Sequence, residues 1–185
     1  MPTARLIAFV VLSVGIVYAS RASLRTPRSH GFYRFFAWEA ILALFLMNLG
    51  SWFDQPFAVH QLIAWCLLVA SLVLIIAGLQ MLRQAGKPQS QRATDVPLFE
   101  IEKTTQLVTS GIYQYIRHPM YSSLLCLAWG IFFKDPTWRG FGLALGASTF
   151  LLATAKIEEM ENLRTFGSAY QDYMERSKMF VPYIF

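Results

Sequence analysis

The side chains able to do chemistry stand in three short clusters in the second half of the chain. The first is Gly111-Ile112-Tyr113-Gln114-Tyr115-Ile116-Arg117-His118-Pro119-Met120-Tyr121, which sets a guanidinium, an imidazole and three phenols just ahead of an apolar run. Pro119 has no amide hydrogen and a fixed φ, so it suits the first turn of a helix. Arg117 and His118 then stand at a helix amino terminus, where unpaired amides favour anions, and together they could hold a carboxylate. The plainer reading is a helix cap with a snorkelling arginine.

The second cluster is Glu158-Glu159, with Glu161 close behind. Neighbours on a helix diverge by about 100°, so these two cannot serve as a matched acid and base. One can face a protein interior, where a carboxylate suits hydroxyl or ammonium donors, while the other faces solvent. The plainer reading is a solvated helix end with Glu161 paired to Arg164. The third cluster is Phe166-Gly167-Ser168-Ala169-Tyr170-Gln171-Asp172-Tyr173-Met174-Glu175-Arg176. Gly167 interrupts a helix, after which Tyr170, Tyr173 and Arg176 share one face. Such a face either lies in a lipid interface or folds back as a lid, and the interface is the expected place.

The elements that must position these clusters are set by composition. Of 185 residues, 55% are hydrophobic and 15% charged, against about 25% charged in a soluble domain. The apolar residues fall in five blocks: Ala4–Ser20, Phe35–Phe53, Ala58–Leu82, Pro119–Phe133 and Trp138–Ala155. Lipid offers backbone amides no partner, so such blocks must be helices. Crossing a hydrocarbon core of about 30 Å takes about 17–25 residues, which every block but the fourth supplies. The expected fold is an all-α integral membrane protein of about five transmembrane helices. Residues 1–185 read as one membrane domain: three N-terminal spans over 1–82, a cytoplasmic connector over 83–118, and a helical hairpin with an amphipathic tail over 119–185. Gly140, Gly142 and Gly146, interleaved with Ala144, Ala147 and Ser148, predict close packing of the last two spans against each other.

The net charge of +5 does not mark a nucleic-acid binder, because the basic residues lie in short connectors. Arg21, Arg25, Arg28, Arg34, Arg83, Lys87, Arg92, Lys103, Arg117, Lys156, Arg164, Arg176 and Lys178 fall on one side, and Arg5, Lys134 and Arg139 on the other. That bias places the N-terminus outside and the C-terminus on the cytoplasmic side of a multi-pass membrane protein, which in a prokaryote would be the cytoplasmic membrane. The basic residues after the first block, rather than before it, argue that it is a retained span and not a cleaved signal. A cysteine introduced at Ser90, with Cys66 and Cys126 replaced, is expected to label only from the inner face. Outer-face labelling would reverse the orientation. Cys66 and Cys126 lie in apolar blocks and suggest neither a disulfide nor a metal site. Glu39 is an intramembrane acid close to the inner end of its block, and His30 and His60 sit at block ends, where interface water is their expected partner. No strand is predicted, so a Rossmann-type nucleotide fold is excluded.

Gly111-x-Tyr113, Arg117-His118-Pro119-x-Tyr121, Asp135-Pro136, Glu158-Glu159 and Phe166-Gly167-x-x-Tyr170-x-x-Tyr173-x-x-Arg176 follow one another in an ordered set over residues 107–183. This set resembles the C-terminal pattern of the isoprenylcysteine carboxyl methyltransferases and the related phospholipid methyltransferases. Arg-His-Pro alone also occurs in membrane sterol reductases. The resemblance implies an S-adenosylmethionine-dependent methyltransferase whose cofactor is enclosed on the cytoplasmic side while a lipid or lipidated acceptor enters from the bilayer. It implies that Tyr113, Arg117, His118, Pro119, Tyr121, Glu158 and Glu159 line the cofactor pocket. It sets Tyr170 and Tyr173 on the substrate side, with Arg176 beside the acceptor as catalytic residue and no metal. Met120 and Ser122-Ser123 depart from the pattern, and the shorter N-terminal part speaks against prenylcysteine as the substrate. The acceptor group, carboxylate, amine or thiol, stays open. A nicotinamide-dependent reductase, or a membrane protein without catalysis, are the alternatives. Glu158 and Glu159 speak against the first, since a dinucleotide wants basic residues around it.

Overall fold

The computed structural model describes residues 3–85 and 106–184. Lys87, Ser90, Arg92 and Lys103, on which part of the orientation argument rests, lie outside the described residues. Seven α-helices make up the described structure: α1 (Thr3–Ala19), α2 (Arg21–Leu24), α3 (His30–Asn48), α4 (Val59–Ala85), α5 (Pro119–Phe132), α6 (Trp138–Phe166) and α7 (Ser168–Arg176). Short 3-10 turns cover Leu49–Ser51 and Gly111–Gln114. Three helical stretches, His30–Ser51, Val59–Ala85 and Trp138–Phe166, are long and apolar enough to cross a membrane. Thr3–Ala19 and Pro119–Phe132 are apolar but shorter, so three helices rather than five meet the length requirement.

Local chemistry accounts for the helix boundaries. Ser29 caps α3 by accepting from the Phe32 amide at 3.2 Å, which starts that helix at His30, five residues ahead of the apolar block. Thr137 caps α6 in the same way through the Gly140 amide. Pro119 occupies the first turn of α5 as expected. At Gly167, φ is +58° and ψ −135°, a conformation that only glycine adopts without strain, and α6 turns there into α7.

Packing departs from the sequence expectation in one respect. The fifth and sixth helices touch, but α5 packs chiefly on α4, and α6 chiefly on α3. Gly140, Ala144 and Ala147 form the buried stripe of α6, joining Ile41 and Leu44 of α3 and Ala128, Ile131 and Phe132 of α5. Gly142 and Gly146 face open space instead. Helical periodicity decides this: residues 140, 144 and 147 share a face, and 142 and 146 point elsewhere. A second cluster, Ala37, Tyr121, Leu151, Ala155 and Phe180, ties the tail to the bundle.

His30 and His60, at the block ends, have partners within the protein. His30 is 1% exposed, and its Nδ1 lies 2.6 Å from Glu161 Oε2, while its backbone amide donates to Glu161 Oε1. Glu161 therefore joins α3 to α6 rather than pairing with Arg164. The Nδ1 of His60 lies 3.0 Å from the Phe133 carbonyl oxygen. Glu39 meets Ser13 Oγ at 2.9 Å from both carboxylate oxygens, which links α3 to α1, a helix with no buried residues.

Lys134 corrects the count of connector charges. It is 1% exposed, donates to Gln61 Oε1 at 2.9 Å, and holds Nζ 3.4 Å from the centre of the Trp65 ring. Arg34 and Arg117 are enclosed too. Without these three the bias is eleven against two, with its sign unchanged.

Candidate functional site

The site is assembled at the amino terminus of α5. Helix α6 has 29 residues, about 43 Å at 1.5 Å per residue. It therefore runs well beyond its apolar part and carries Glu158 and Glu159 alongside Pro119–Tyr121. Glu159 is the inward carboxylate of the pair. Its Oε1 accepts from Arg117 Nε at 2.6 Å and stands 3.5 Å from His118 Nε2. Glu158, half-buried, accepts from the Tyr121 hydroxyl. The two carboxylates diverge as helical geometry requires, yet both are engaged by the 117–121 segment.

The tail closes over this arrangement. Tyr170 and Tyr173 are buried, so α7 is folded back onto the protein rather than laid in the interface. The Tyr173 hydroxyl donates to the Tyr113 carbonyl at 2.7 Å. Beyond α7 the chain runs extended against 115–118. The Lys178 amide donates to Tyr115 O, the Arg117 amide to Lys178 O and the His118 amide to Met179 O, forming an isolated parallel bridge. Arg117 also donates to the carbonyls of Met174 and Ser177, which satisfies the end of α7. Ser122, one of the residues that departs from the family pattern, fastens the tail by donating to Phe180 O at 2.9 Å. Burial pushes the phenols of Tyr170 and Tyr173 well above the ordinary tyrosine range.

The upstream half of the site depends on Gly111. Its φ is +61°, and a Cβ there would stand 2.8 Å from Met81 Sδ. Only glycine lets the 3-10 turn approach α4 so closely and deliver Tyr113 to the tail. Tyr113, Arg117, His118, Pro119, Tyr121, Glu158, Glu159, Tyr170 and Tyr173 are thus brought into one connected cluster. Arg176 is the exception: it is exposed, and its Nε donates to Asp172 O on its own helix. Sequence reasoning missed Ser177, Met179 and Phe180, because backbone carbonyls that bind a tail leave no side-chain signature.

The donor set can be tested against S-adenosylmethionine. That molecule presents a sulfonium, an ammonium and ribose hydroxyls, which want carboxylates and other acceptors, and one carboxylate, which wants donors such as the amides at the start of α5. Glu158 and Glu159 with the surrounding phenols fit it. A phosphate-bearing dinucleotide would need free cations, and Arg117 is already committed inside the protein.

The phospholipid methyltransferase family model matches residues 59–169. Methanethiol S-methyltransferase 2 of Bradyrhizobium diazoefficiens is 32% identical over 77 residues, 42% of this chain and 29% of that protein. A probable protein-S-isoprenylcysteine O-methyltransferase of Oryza sativa subsp. indica is 25% identical over 131 residues, 65% of this chain and 63% of the relative. Methanethiol S-methyltransferase of Pseudomonas deceptionensis is 28% identical over 74 residues, 40% of this chain and 28% of that protein. The chain thus spans less than two thirds of the length of these relatives. No solved structure matches it. The family match begins at Val59, so α4, which carries no motif legible by eye, is part of the shared unit. With more than half of its residues matched, the chain belongs to the phospholipid methyltransferase family.

Proposed function

We propose that the protein transfers a methyl group from S-adenosylmethionine to a membrane-partitioned acceptor, with both substrates meeting at the cytoplasmic end of a five-helix membrane bundle. The observation that carries this reading is the joining of Glu158 and Glu159 to Tyr121, His118 and Arg117 beneath a folded-back tail. Glu158 offers its second oxygen to the cofactor's hydroxyl or ammonium groups, while Tyr113, His118, Pro119 and Tyr121 form the wall. Tyr170 and Tyr173, buried against that wall, exclude water. Arg117 holds Glu159 and the tail in place. The cofactor supplies an electrophilic methyl, so the protein's part is alignment and shielding. The acceptor is a carboxylate, an amine or a thiol. Family membership and the apolar faces of α1 and α4 support entry from the membrane.

Glu158→Ala is expected to weaken S-adenosylmethionine binding tenfold or more, about 1.4 kcal/mol, read by calorimetry on the purified protein. Unchanged affinity would return Glu158 to the role of a solvated helix end. The acceptor-side role of Arg176 rests on the resemblance alone. Arg176→Lys should lower turnover tenfold with cofactor affinity unchanged, because an ammonium does not copy a planar fork. Full turnover in that variant would remove Arg176 from the catalytic set.

A further inference from the structure

We infer that residues 181–184 and Tyr115 form an interfacial foot, seated among lipid head groups, that holds the tail closed over the candidate site. The assignment requires α4 to cross the membrane and does not depend on the cofactor or the acceptor. Val181-Pro182-Tyr183-Ile184 is a turn closed by the Ile184 amide, which donates to Val181 O at 3.2 Å, and φ at Tyr183 is +66°. Proline second and a positive φ third are the pattern of a type II turn, where glycine or asparagine is the usual third residue. A bulky residue is strained in that conformation, so tyrosine is not there for the sake of the backbone. Its ring points out of the protein: Tyr183 is 80% and Ile184 78% exposed. Val181 is exposed beside them, and so is Tyr115, whose ring centre lies 6.0 Å from that of Tyr183. These side chains form one outward apolar patch next to the bonds that join the tail to 115–118.

Depth along α4 identifies what covers the patch. His60, at the start of α4, is bonded to the Phe133 carbonyl at the far end of the bundle. A Cβ on Gly111 would stand 2.8 Å from Met81 Sδ, so the turn leading to Tyr115 is level with Met81. Met81 lies about 31 Å beyond His60 at 1.5 Å per residue, and a hydrocarbon core is about 30 Å thick. Tyr115 and its neighbour Tyr183 therefore fall at the boundary between acyl chains and head groups, where phenol rings settle. The apolar face of α4 runs up to the same level through Val69, Leu72, Val73 and Ile76, all exposed. Lys178, exposed on the tail, and Arg83, exposed on the last turn of α4, set cations at that level, as head-group phosphates favour.

The foot bears on the site through the tail. Residues 177–180 carry the backbone bonds to Tyr115, Arg117 and His118, and the Phe180 carbonyl accepts from Ser122. At its other end the tail joins α6 at Gly167, which is open on its Cβ side. Lifting the tail would return the surface of Tyr183 and Ile184 from lipid to water, which the hydrophobic effect opposes. The tail is therefore held more firmly in a bilayer than its hydrogen bonds alone would hold it.

The depth is read on the full chain, with Cys66 and Cys126 replaced by alanine, in vesicles of phosphatidylcholine and phosphatidylglycerol. Single nitroxide labels are attached to cysteines introduced at Val181, Ile184, Val73 and Asp172. Their collisions with oxygen and with a water-soluble nickel chelate are then compared. The labels at Val181 and Ile184 should lie between Val73 in the hydrocarbon and Asp172 in water, at least threefold less accessible to nickel than the label at Asp172. Equal nickel accessibility at Ile184 and Asp172, or spin–spin broadening that shows a second copy covering the patch, would overturn the foot. A water-exposed Val73 would overturn the span from which the depth is reckoned, and the foot with it. The hold on the tail is read separately, in nanodiscs of the same lipids. Tyr183→Ser with Ile184→Ser should speed proteolysis beyond Gly167 at least tenfold, whereas Tyr183→Phe with Ile184→Leu should stay within twofold of the parent. Cleavage of the serine pair at the parent rate would show that the hydrogen bonds alone close the tail, and would overturn the role given to the foot.

Discussion

Arg117→Ala is expected to abolish S-adenosylmethionine binding and to lower stability in detergent by about 3–5 kcal/mol, the usual cost of removing one partner of a buried ion pair. Both side chains of the Arg117–Glu159 pair are 9% exposed. The same guanidinium holds the Met174 and Ser177 carbonyls, so its loss strands a carboxylate and two carbonyls together. The tail then keeps its backbone bridge to 115–118, the bonds from Tyr173 and Ser122 and the packing of Phe180. Thermal unfolding followed by limited proteolysis would read this, with cleavage appearing beyond Gly167. Arg117→Lys should recover only part of the loss, because an ammonium cannot reach three acceptors as a rigid fork does. A variant with normal stability and an intact tail would show that Arg117 serves the cofactor alone.

The second large effect is expected at the opposite end of the bundle. Lys134→Ala should cost about 2–4 kcal/mol, combining an unsatisfied buried Gln61 oxygen with lost packing of the lysine stem. Lys134 donates to Gln61 and to the Trp52 carbonyl, and Gln61 in turn donates to the carbonyls of Ser51 and Lys134. Asn48 adds a bond to Ile131 O. These contacts tie the ends of α3 and α4 to the turn after α5, far along the chain from the chemistry. Unfolding in detergent, with emission from Trp52 and Trp65 as the probe, measures the effect. Cofactor affinity at 25 °C should stay within threefold of the parent, since nothing in this knot touches the Arg117–Glu159 cluster. An unchanged melting point would mean that the aromatic rings alone hold the turn.

What the sequence made legible follows from the reach of its signals. Long apolar runs state helices outright, and Pro119, Thr137 and Gly167 mark their ends through backbone chemistry. The ordered motif set pointed to the cluster that the structure assembles, apart from Asp135-Pro136, which lies in the turn after α5, and Arg176, which is exposed. Partners across the fold were not legible. His30 and Glu161 are 131 residues apart, and no local pattern announces that pairing, so a nearer partner, Arg164, was expected. Lys134 looked like a connector charge because hydropathy registers a residue's type, not the aromatic cage it occupies. The tail was read as interfacial because a tyrosine face suits a lipid boundary and a protein groove equally well. Which one it meets depends on carbonyls that a one-dimensional pattern does not display.

On the membrane-bundle reading proposed above, the brevity of α5 would set the depth of its polar end. It has 14 residues, about 21 Å of helix, beside a hydrocarbon layer of about 30 Å. With the Phe133–Thr137 turn at one edge of that layer, Pro119 stops about 9 Å short of the other. On that placement Pro119 would be recessed below the plane of the head groups, while the longer α6 would carry Glu158 up to it. An acceptor dissolved among acyl chains would meet that polar end sideways, without surfacing into water. One bearing a bulky charged head must either sink below its neighbours or wait for the bilayer to thin around α5. Under the proposed function, membrane thickness would then act as a filter on the acceptor, favouring small heads on apolar tails.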